Sequence, residues 1–337
     1  MGVPMGRLKL GVVVLAVAAL VTAGCGATSG GGGGATRLSL VAYSTPREAY
    51  AALIPAFQKT AAGKGVSFSQ SYGASGDQSR AVSSGLPSDV VTLALAPDMN
   101  KLADAGMVSK SWTAGQYKGM VTNSVVALVV RKGNPKNIHT WDDLTKPGVQ
   151  VITPNPFSSG GARWNVMAAY GAQIKQGKSP AEARAYLQRL FDNVPVQDKS
   201  ARESLQTFVG GKGDAMIAYE NEAITAQQAG QPVEYVVPDQ TILIENPIAV
   251  TTRSKHPTQA RAFVDFLHGT QAQSIFASKG YRPVNQRATG ADKFPRPSGL
   301  FTIDDLGGWD QVTKTFFDRS GGVMADIEKQ VGVSVGS

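Results

Sequence analysis

Four short turns in this chain combine small residues with the start of a helical pattern. Ser158 to Gly161 is the clearest, because the apolar run Val149 to Thr153 precedes it and a helical pattern follows from Ala162. Glycines let backbone N–H groups approach a ligand, and the first N–H groups of a helix have no partner within that helix. These features are typical of an anion site. The same arrangement recurs at Ser44, Ser75 and Ala201.

Strand-like and helix-like segments alternate along the chain, which predicts an α/β fold with mainly parallel sheets flanked by helices. In such sheets the ligand lies at the carboxyl ends of the strands, where all four turns would stand. Two long apolar segments, Val121 to Val130 and Thr241 to Val250, are predicted to cross between two lobes. The first lobe would comprise residues 37–122 and 246–337, with a C-terminal tail free to pack across both lobes. The second would comprise residues 123–245.

Local signals predict several boundaries. Thr45 and Glu48 have the spacing of a capping box, with Pro46 at the first helical position between them. Ser200 and Glu203 repeat that spacing. Asp89 to Leu95 is a continuous apolar run, which predicts a buried strand.

Residues 1–24 have the order of an export signal: Arg7 and Lys9 come first, and a short apolar region from Leu10 to Val21 follows. Thr22-Ala23-Gly24-Cys25 resembles a bacterial lipobox, so Cys25 is predicted to carry a lipid and become the first residue of the mature protein. An ordinary signal peptide ending at Ala23 or Ala27 is the alternative. Residues 25–36 would then be a lipidated cysteine and a glycine-rich tether.

Composition and motifs argue against two classes of function, nucleic-acid binding and catalysis. The chain has 337 residues, 42% of them hydrophobic, and a net charge of +8. Its basic residues are scattered rather than clustered, which argues against a nucleic-acid-binding surface. The three histidines, His139, His256 and His268, form no catalytic pattern, and the sequence has neither a nucleophile elbow nor a metal-ligand cluster. The chain is therefore predicted to be a binder without a cofactor and not an enzyme.

Several segments together resemble the sulfate-binding proteins that serve bacterial ABC transporters. The segments are Tyr43 to Glu48, Gly73 to Gly76, Val90 to Ala96, Arg131 to Lys136, Pro154 to Trp164, Gly213 to Glu222 and Phe301 to Asp304. The resemblance implies a two-lobed, type II periplasmic-binding-protein fold that closes around a dehydrated sulfate in its cleft.

The resemblance also implies that neutral donors hold the anion. Carried over by motif, the sulfate-binding residues would be Ser44 through its backbone, Ser75 through backbone and hydroxyl, Ser159, Gly160, Gly161, Ala201 and Tyr219. The family usually has aspartate at the position of Ser44 and tryptophan at that of Tyr219. Four arginines follow closely on the turns, and they either bias the local field or pair with surface carboxylates: Arg47, Arg80, Arg163 and Arg202.

The predicted function is capture of sulfate outside the cytoplasm and its delivery to the membrane permease of an ABC transporter. We expect a monomer anchored through Cys25 to the outer face of the cytoplasmic membrane. The alternatives are another oxyanion, namely thiosulfate, molybdate or phosphate, and a secreted hydrolase.

Overall fold

The computed structural model describes residues 36–335, so the predicted signal peptide, Cys25 and the glycine run lie outside the described residues. The strands are β1 Thr36–Tyr43, β2 Val66–Gly73, β3 Val90–Thr92, β4 Met120–Arg131, β5 Val151–Ile152, β6 Ala215–Tyr219, β7 Val233–Val236, β8 Leu243–Val250 and β9 Arg282–Pro283.

Eleven α-helices accompany these strands within residues 36–335: α1 Arg47–Gln58, α2 Ser75–Ser83, α3 Ala96–Asp104, α4 Gly160–Lys175, α5 Pro180–Asp192, α6 Ala201–Val209, α7 Glu220–Gln228, α8 Pro257–His268, α9 Thr270–Ser278, α10 Gly308–Phe316 and α11 Val323–Gln330. Three 3-10 turns lie at Asp142–Thr145, Ala291–Lys293 and Asp304–Leu306. None of the helices in this range is both long and apolar enough to cross a membrane.

The strands form one curled sheet in the order β2-β1-β3-β8-β4-β6-β5, and β7 and β9 also pair with β4. Pairing is parallel within β2-β1-β3 and between β5 and β6. Strands β4 and β8 run antiparallel to their neighbours. We call β1 to β3 with their helices the first lobe, and β5 to β7 with α4 to α7 the second lobe.

Strands β4 and β8 connect the two lobes. Residues Thr122 to Val125 of β4 pair with β8, and its next residues, Val126 to Val130, pair with β6 of the second lobe. The end of β8, Ile248 to Val250, pairs with β3 of the first lobe. Two adjacent crossing strands can twist together, which suits them to act as a hinge; the exact lobe boundaries stay a prediction.

The hydrophobic cores follow the lobes. Phe57, Phe263 and Phe276 belong to a first-lobe core, and Trp164, Tyr186 and Leu190 belong to the largest core, in the second lobe. The tail helices α10 and α11 also pack on the second-lobe core, where the rings of Tyr170 and Phe316 lie 4.7 Å apart. The tail therefore packs on the second-lobe core, and α10 also contacts α3 of the first lobe.

Two local predictions are wrong. Strand β3 is limited to Val90–Thr92, and Leu93 to Leu95 form a loop whose backbone bonds to other parts of the chain. The proposed capping box at Thr45 is also absent, because Pro46 occupies the N-cap without a side-chain bond. Glu48 turns away toward Arg202. At Ser200 half of the box forms: the Ser200 hydroxyl accepts from the Glu203 N–H at 3.3 Å, whereas the Glu203 carboxylate accepts from the Lys199 N–H.

Candidate functional site

The start of α4 lies directly on the first lobe. A methyl group at Gly160 would stand 2.0 Å from Leu95 Cδ2 and 3.1 Å from Ser75 Cβ, so glycine is needed for this close approach. The Gly76 N–H donates to the Ser158 carbonyl at 3.3 Å, and Trp164 Nε1 donates to the Ala94 carbonyl at 2.8 Å. The two lobes are therefore closed against each other at this seam.

Gly161 lies where the starts of α4 and α6 meet the end of β6. A methyl group at Gly161 would make ordinary contacts of 3.5 Å with Ala201 Cβ, Ser159 Oγ and Tyr219 Cε1. The loop after Ser44 reaches the same place, because Arg202 Nη2 donates to the Thr45 carbonyl at 3.1 Å. The structure thus brings Ser75, Ser159, Gly160, Gly161, Ala201 and Tyr219 together at the lobe junction, and Thr45, the neighbour of Ser44, contacts Arg202 beside them.

Helix starts supply most of the donors there. Ser75, Gly160 and Ala201 are the first residues of α2, α4 and α6, where backbone N–H groups have no partner within the helix. Across residues 36–335, no hydrogen bond engages the N–H groups of these three residues or those of Ser44 and Gly161. Each helix start also presents the positive end of its dipole, so the junction favours an anion without any formal positive charge.

Two of the predicted serines, Ser75 and Ser159, already donate hydrogen bonds to other groups of the protein. The Ser75 hydroxyl donates to Asp98 Oδ2 at 2.7 Å and accepts from the Ala94 N–H at 3.0 Å. Its proton is not available to a ligand here, contrary to the expectation from sequence. The Ser159 N–H donates to the Asn155 carbonyl, and its Oγ caps α4 by accepting from Ala162. Ser159 can still donate its hydroxyl proton.

Two tyrosine hydroxyls, those of Tyr43 and Tyr219, are buried at the junction and make no hydrogen bond of good geometry within residues 36–335. Thr45, Tyr281 and Thr122 lie close to the Tyr43 hydroxyl, and Asn246 lies close to that of Tyr219. Burial raises the pKa of both groups, that of Tyr219 well above its usual value. Both therefore stay protonated and can donate. A buried donor without a partner is costly, and an anion would satisfy it.

A charged cluster joins the lobes beside this site. Arg202 Nη2 lies 2.7 Å from Glu48 Oε2 in the first lobe and 2.9 Å from Glu222 Oε1 in the second. Arg202 Nη1 also contacts Glu48. Burial opposes the charge of Arg202, but Glu222 and Glu48 together raise its pKa above the ordinary value. The arginine is thus neutralised by carboxylates instead of facing the junction as a free cation.

Sequence reasoning missed several of these groups. From sequence, Tyr43 and Glu222 are named only as ends of segments that carry the resemblance, and Asp98 is not named. Strand alternation could have indicated that Tyr43 points inward, but no local signal pairs Arg202 with Glu48, which lies 154 positions earlier in the chain.

The chemistry available is hydrogen-bond donation by neutral groups. In the part of the chain that the structure describes, no group of three or more His, Cys, Asp or Glu side chains could hold a metal ion. Asp98 is occupied by Ser75 and by Lys101, whose Nζ lies 3.2 Å from Oδ1. Glu222 Oε1 is occupied by Arg202, while Oε2 has no partner.

The chain is similar to several known binding proteins. The profile of the family described as bacterial extracellular solute-binding protein matches residues 38–282. The sulfate-binding protein of Synechococcus elongatus is 43% identical, covering 91% of this chain and 92% of that protein. The thiosulfate-binding protein of Pseudomonas aeruginosa is 36% identical over 92% and 97% of the two chains. The solved structure of the sulfate-binding protein SubI from Mycobacterium tuberculosis superposes with a TM-score of 0.81 at 47% identity, covering 84% of this chain and all of that one.

Proposed function

The chain belongs to the bacterial extracellular solute-binding proteins, and from that premise we propose that it captures sulfate between its lobes and delivers it to an ABC permease. Membership of this family agrees with the prediction of a binder rather than an enzyme. The single observation that carries the choice of ligand is the set of unpartnered neutral donors at the junction. An anion enclosed by them would satisfy groups that are otherwise costly to bury.

The proposed donors come from both lobes. The first lobe contributes the backbone N–H groups of Ser44 and Ser75, and the second contributes the donors of Ser159, Gly160, Gly161, Ala201 and Tyr219. We add the Tyr43 hydroxyl to this set and remove that of Ser75. Because the donors converge only when the lobes meet, binding would favour the closed form.

Neutral donors favour sulfate over phosphate. Sulfate is fully ionised at neutral pH and only accepts hydrogen bonds, whereas phosphate keeps a proton that needs an acceptor. A phosphate proton facing an N–H group would leave both unsatisfied, at about 1–3 kcal/mol each. Sites that recognise hydrogen-bonding pattern can reject a mismatched ligand by about 10⁴-fold.

Isothermal titration calorimetry with sulfate, thiosulfate, molybdate and phosphate at pH 6 and pH 8 tests this function. Sulfate should bind with one-to-one stoichiometry and exceed phosphate by about a thousandfold or more at both pH values. Comparable affinities for sulfate and phosphate would indicate that an acceptor reaches the anion, and Glu222→Gln would then identify whether Oε2 is that acceptor. Tighter binding of thiosulfate would assign the chain to the second candidate ligand, which the similarity to a thiosulfate-binding protein supports.

The proposed location is the outer face of the cytoplasmic membrane, with Cys25 lipidated and the protein monomeric. The lipobox-like sequence and the glycine run after it support this proposal. Cys25→Ala should release the protein from the membrane fraction, and Ser29→Ala, within the same tether, should leave fractionation unchanged. Membrane association that persists in Cys25→Ala would contradict the lipid anchor.

A further inference from the structure

A cavity that we call the outer cavity lies beside the seam between the lobes. It measures about 300 Å³ and is lined by the side chains of Arg80, Lys101, Arg163, Arg319 and Asp98. Gly76, Ser158 and Gly160 form another part of its wall. Gly76 and Ser158 are joined by the backbone bond across the seam, and Gly160 belongs to the proposed sulfate site, so the outer cavity adjoins that site.

The lining carries an excess of positive charge. Four cationic side chains line the cavity together with one carboxylate, Asp98, which accepts from Ser75 and pairs with Lys101. Arg80 pairs with Asp77, which lies outside the lining, and the Arg80 side chain is 57% exposed. The cavity is therefore a region of positive potential that a small anion can enter.

Arg163 provides a second and independent observation. Its Nε donates to the Pro156 carbonyl at 2.9 Å, but its Nη1 is buried without a hydrogen-bond partner. Burial lowers the pKa of Arg163; nearby Asp98 opposes this effect, and the charges of Arg319 and Arg80 add to it. The guanidinium groups are thus close enough to repel one another, and a buried N–H donor among them lacks an acceptor.

The cations come from different parts of the fold. Arg80 and Lys101 stand on α2 and α3 of the first lobe, Arg163 stands on α4 of the second, and Arg319 follows α10. In this closed arrangement the charges of both lobes stand around one cavity, so their mutual repulsion acts against it. An anion in the outer cavity would attract all of these cations, so the electrostatic interaction would then favour closure.

We propose that the outer cavity is a second oxyanion site, which binds a divalent tetrahedral oxyanion by charge and favours the closed arrangement of the lobes. The proposal extends the proposed function, since the same class of ligand would meet this site at the mouth of the seam. The two sites differ in their donors. Charged guanidinium groups near solvent do not require a fully deprotonated ligand, so the outer cavity accepts phosphate, which the buried donors should reject.

Inorganic phosphate is therefore the probe. Protein carrying one equivalent of sulfate is titrated with phosphate by calorimetry at low ionic strength, and sulfate release is followed by ion chromatography. We expect one phosphate to bind without releasing sulfate. Arg80→Gln should weaken phosphate binding about fivefold, which is the scale of one partly screened charge. Arg80→Lys should restore most of the loss.

The matched control is Arg189→Gln, which removes the same charge from an exposed position on α5 outside the cavity. It should change phosphate affinity by less than twofold, and Arg80→Gln should change sulfate affinity by no more than that. Arg163→Gln, with folding checked by circular dichroism, should weaken phosphate binding at least as much as Arg80→Gln.

Four results separate failure of this proposal from failure of the proposed function. Absence of saturable phosphate binding to sulfate-loaded protein overturns the outer site, as does binding that neither Arg80→Gln nor Arg163→Gln weakens. A protein that binds no sulfate contradicts the proposed function, and phosphate alone, titrated into the Arg80 variants, still tests the outer cavity. If phosphate displaces sulfate, the affinity of any second bound phosphate must fall in Arg80→Gln. If it does not fall, the outer site is refuted.

Discussion

The ion pair between Glu48 and Arg202 crosses the lobes and should therefore control closure. Glu48→Gln keeps the shape of the side chain and removes its charge. The Glu48 side chain is 37% exposed, so solvent screens the pair and its contribution is about 1 kcal/mol. Because the pair joins residues of the two lobes, we expect opening to break it, and sulfate affinity should fall about fivefold, mainly through faster dissociation.

Replacing the arginine should have a different consequence. Glu222 is fully buried and depends on Arg202 for its compensating charge. Arg202→Gln leaves this carboxylate without its cation, which costs about 3–5 kcal/mol of folding free energy. The double variant Arg202→Gln/Glu222→Gln removes the buried charge and should recover most of that loss.

Calorimetry measures the affinities, stopped-flow fluorescence measures dissociation, and urea unfolding measures the stabilities. Asp326→Asn is the control, because its pair with Lys329 lies within the single helix α11 on exposed side chains, and its loss should change affinity by less than twofold. Two results would refute the reasoning: a change below 1.5-fold, on the order of measurement error, in Glu48→Gln, or an Arg202→Gln variant no less stable than Glu48→Gln.

Three further predictions concern stability and packing. Burial raises the pKa of Glu328 to about 7, so its contribution to the free energy of unfolding is present below about pH 4.5 and is lost as pH rises to 7. Glu328→Gln should therefore be more stable than the native chain at pH 8, by up to about 3 kcal/mol in urea unfolding, and the gain should vanish near pH 4.5. In Gly160→Ala the added methyl group would overlap Leu95, so sulfate binding should weaken about tenfold or more in calorimetry. In Gly161→Ala the added methyl group would make ordinary 3.5 Å contacts, so the thermal stability of the free protein should not change. Ser75→Ala removes two buried hydrogen bonds and should lower the unfolding free energy by about 1–3 kcal/mol; an unchanged urea midpoint would contradict the bond to Asp98.

Much of the fold and of the site could be predicted from local sequence. The alternation of apolar strands with helices places the turns at one edge of a parallel sheet. Each helix carries the chain back across the sheet, so successive strands run in the same direction and end at the same edge. Unpartnered N–H groups at a helix start are equally local, since they follow from the helix beginning at Gly160 or Ala201. The resemblance to sulfate-binding proteins rests on the same segments, and the comparisons confirm it.

The partners of the polar side chains could not be predicted in this way. The Ser75 hydroxyl was expected to face a ligand, but Asp98, 23 residues later, takes its proton. Arg202 was expected to bias the field or pair at the surface, and instead it joins Glu48 to Glu222 across the seam. A side chain has few donors and acceptors, and which of them remain for a ligand depends on groups that are distant in sequence and meet only when the chain is folded. Local pattern therefore determines where the donors of this site can stand, and long-range packing determines which of them are free to bind.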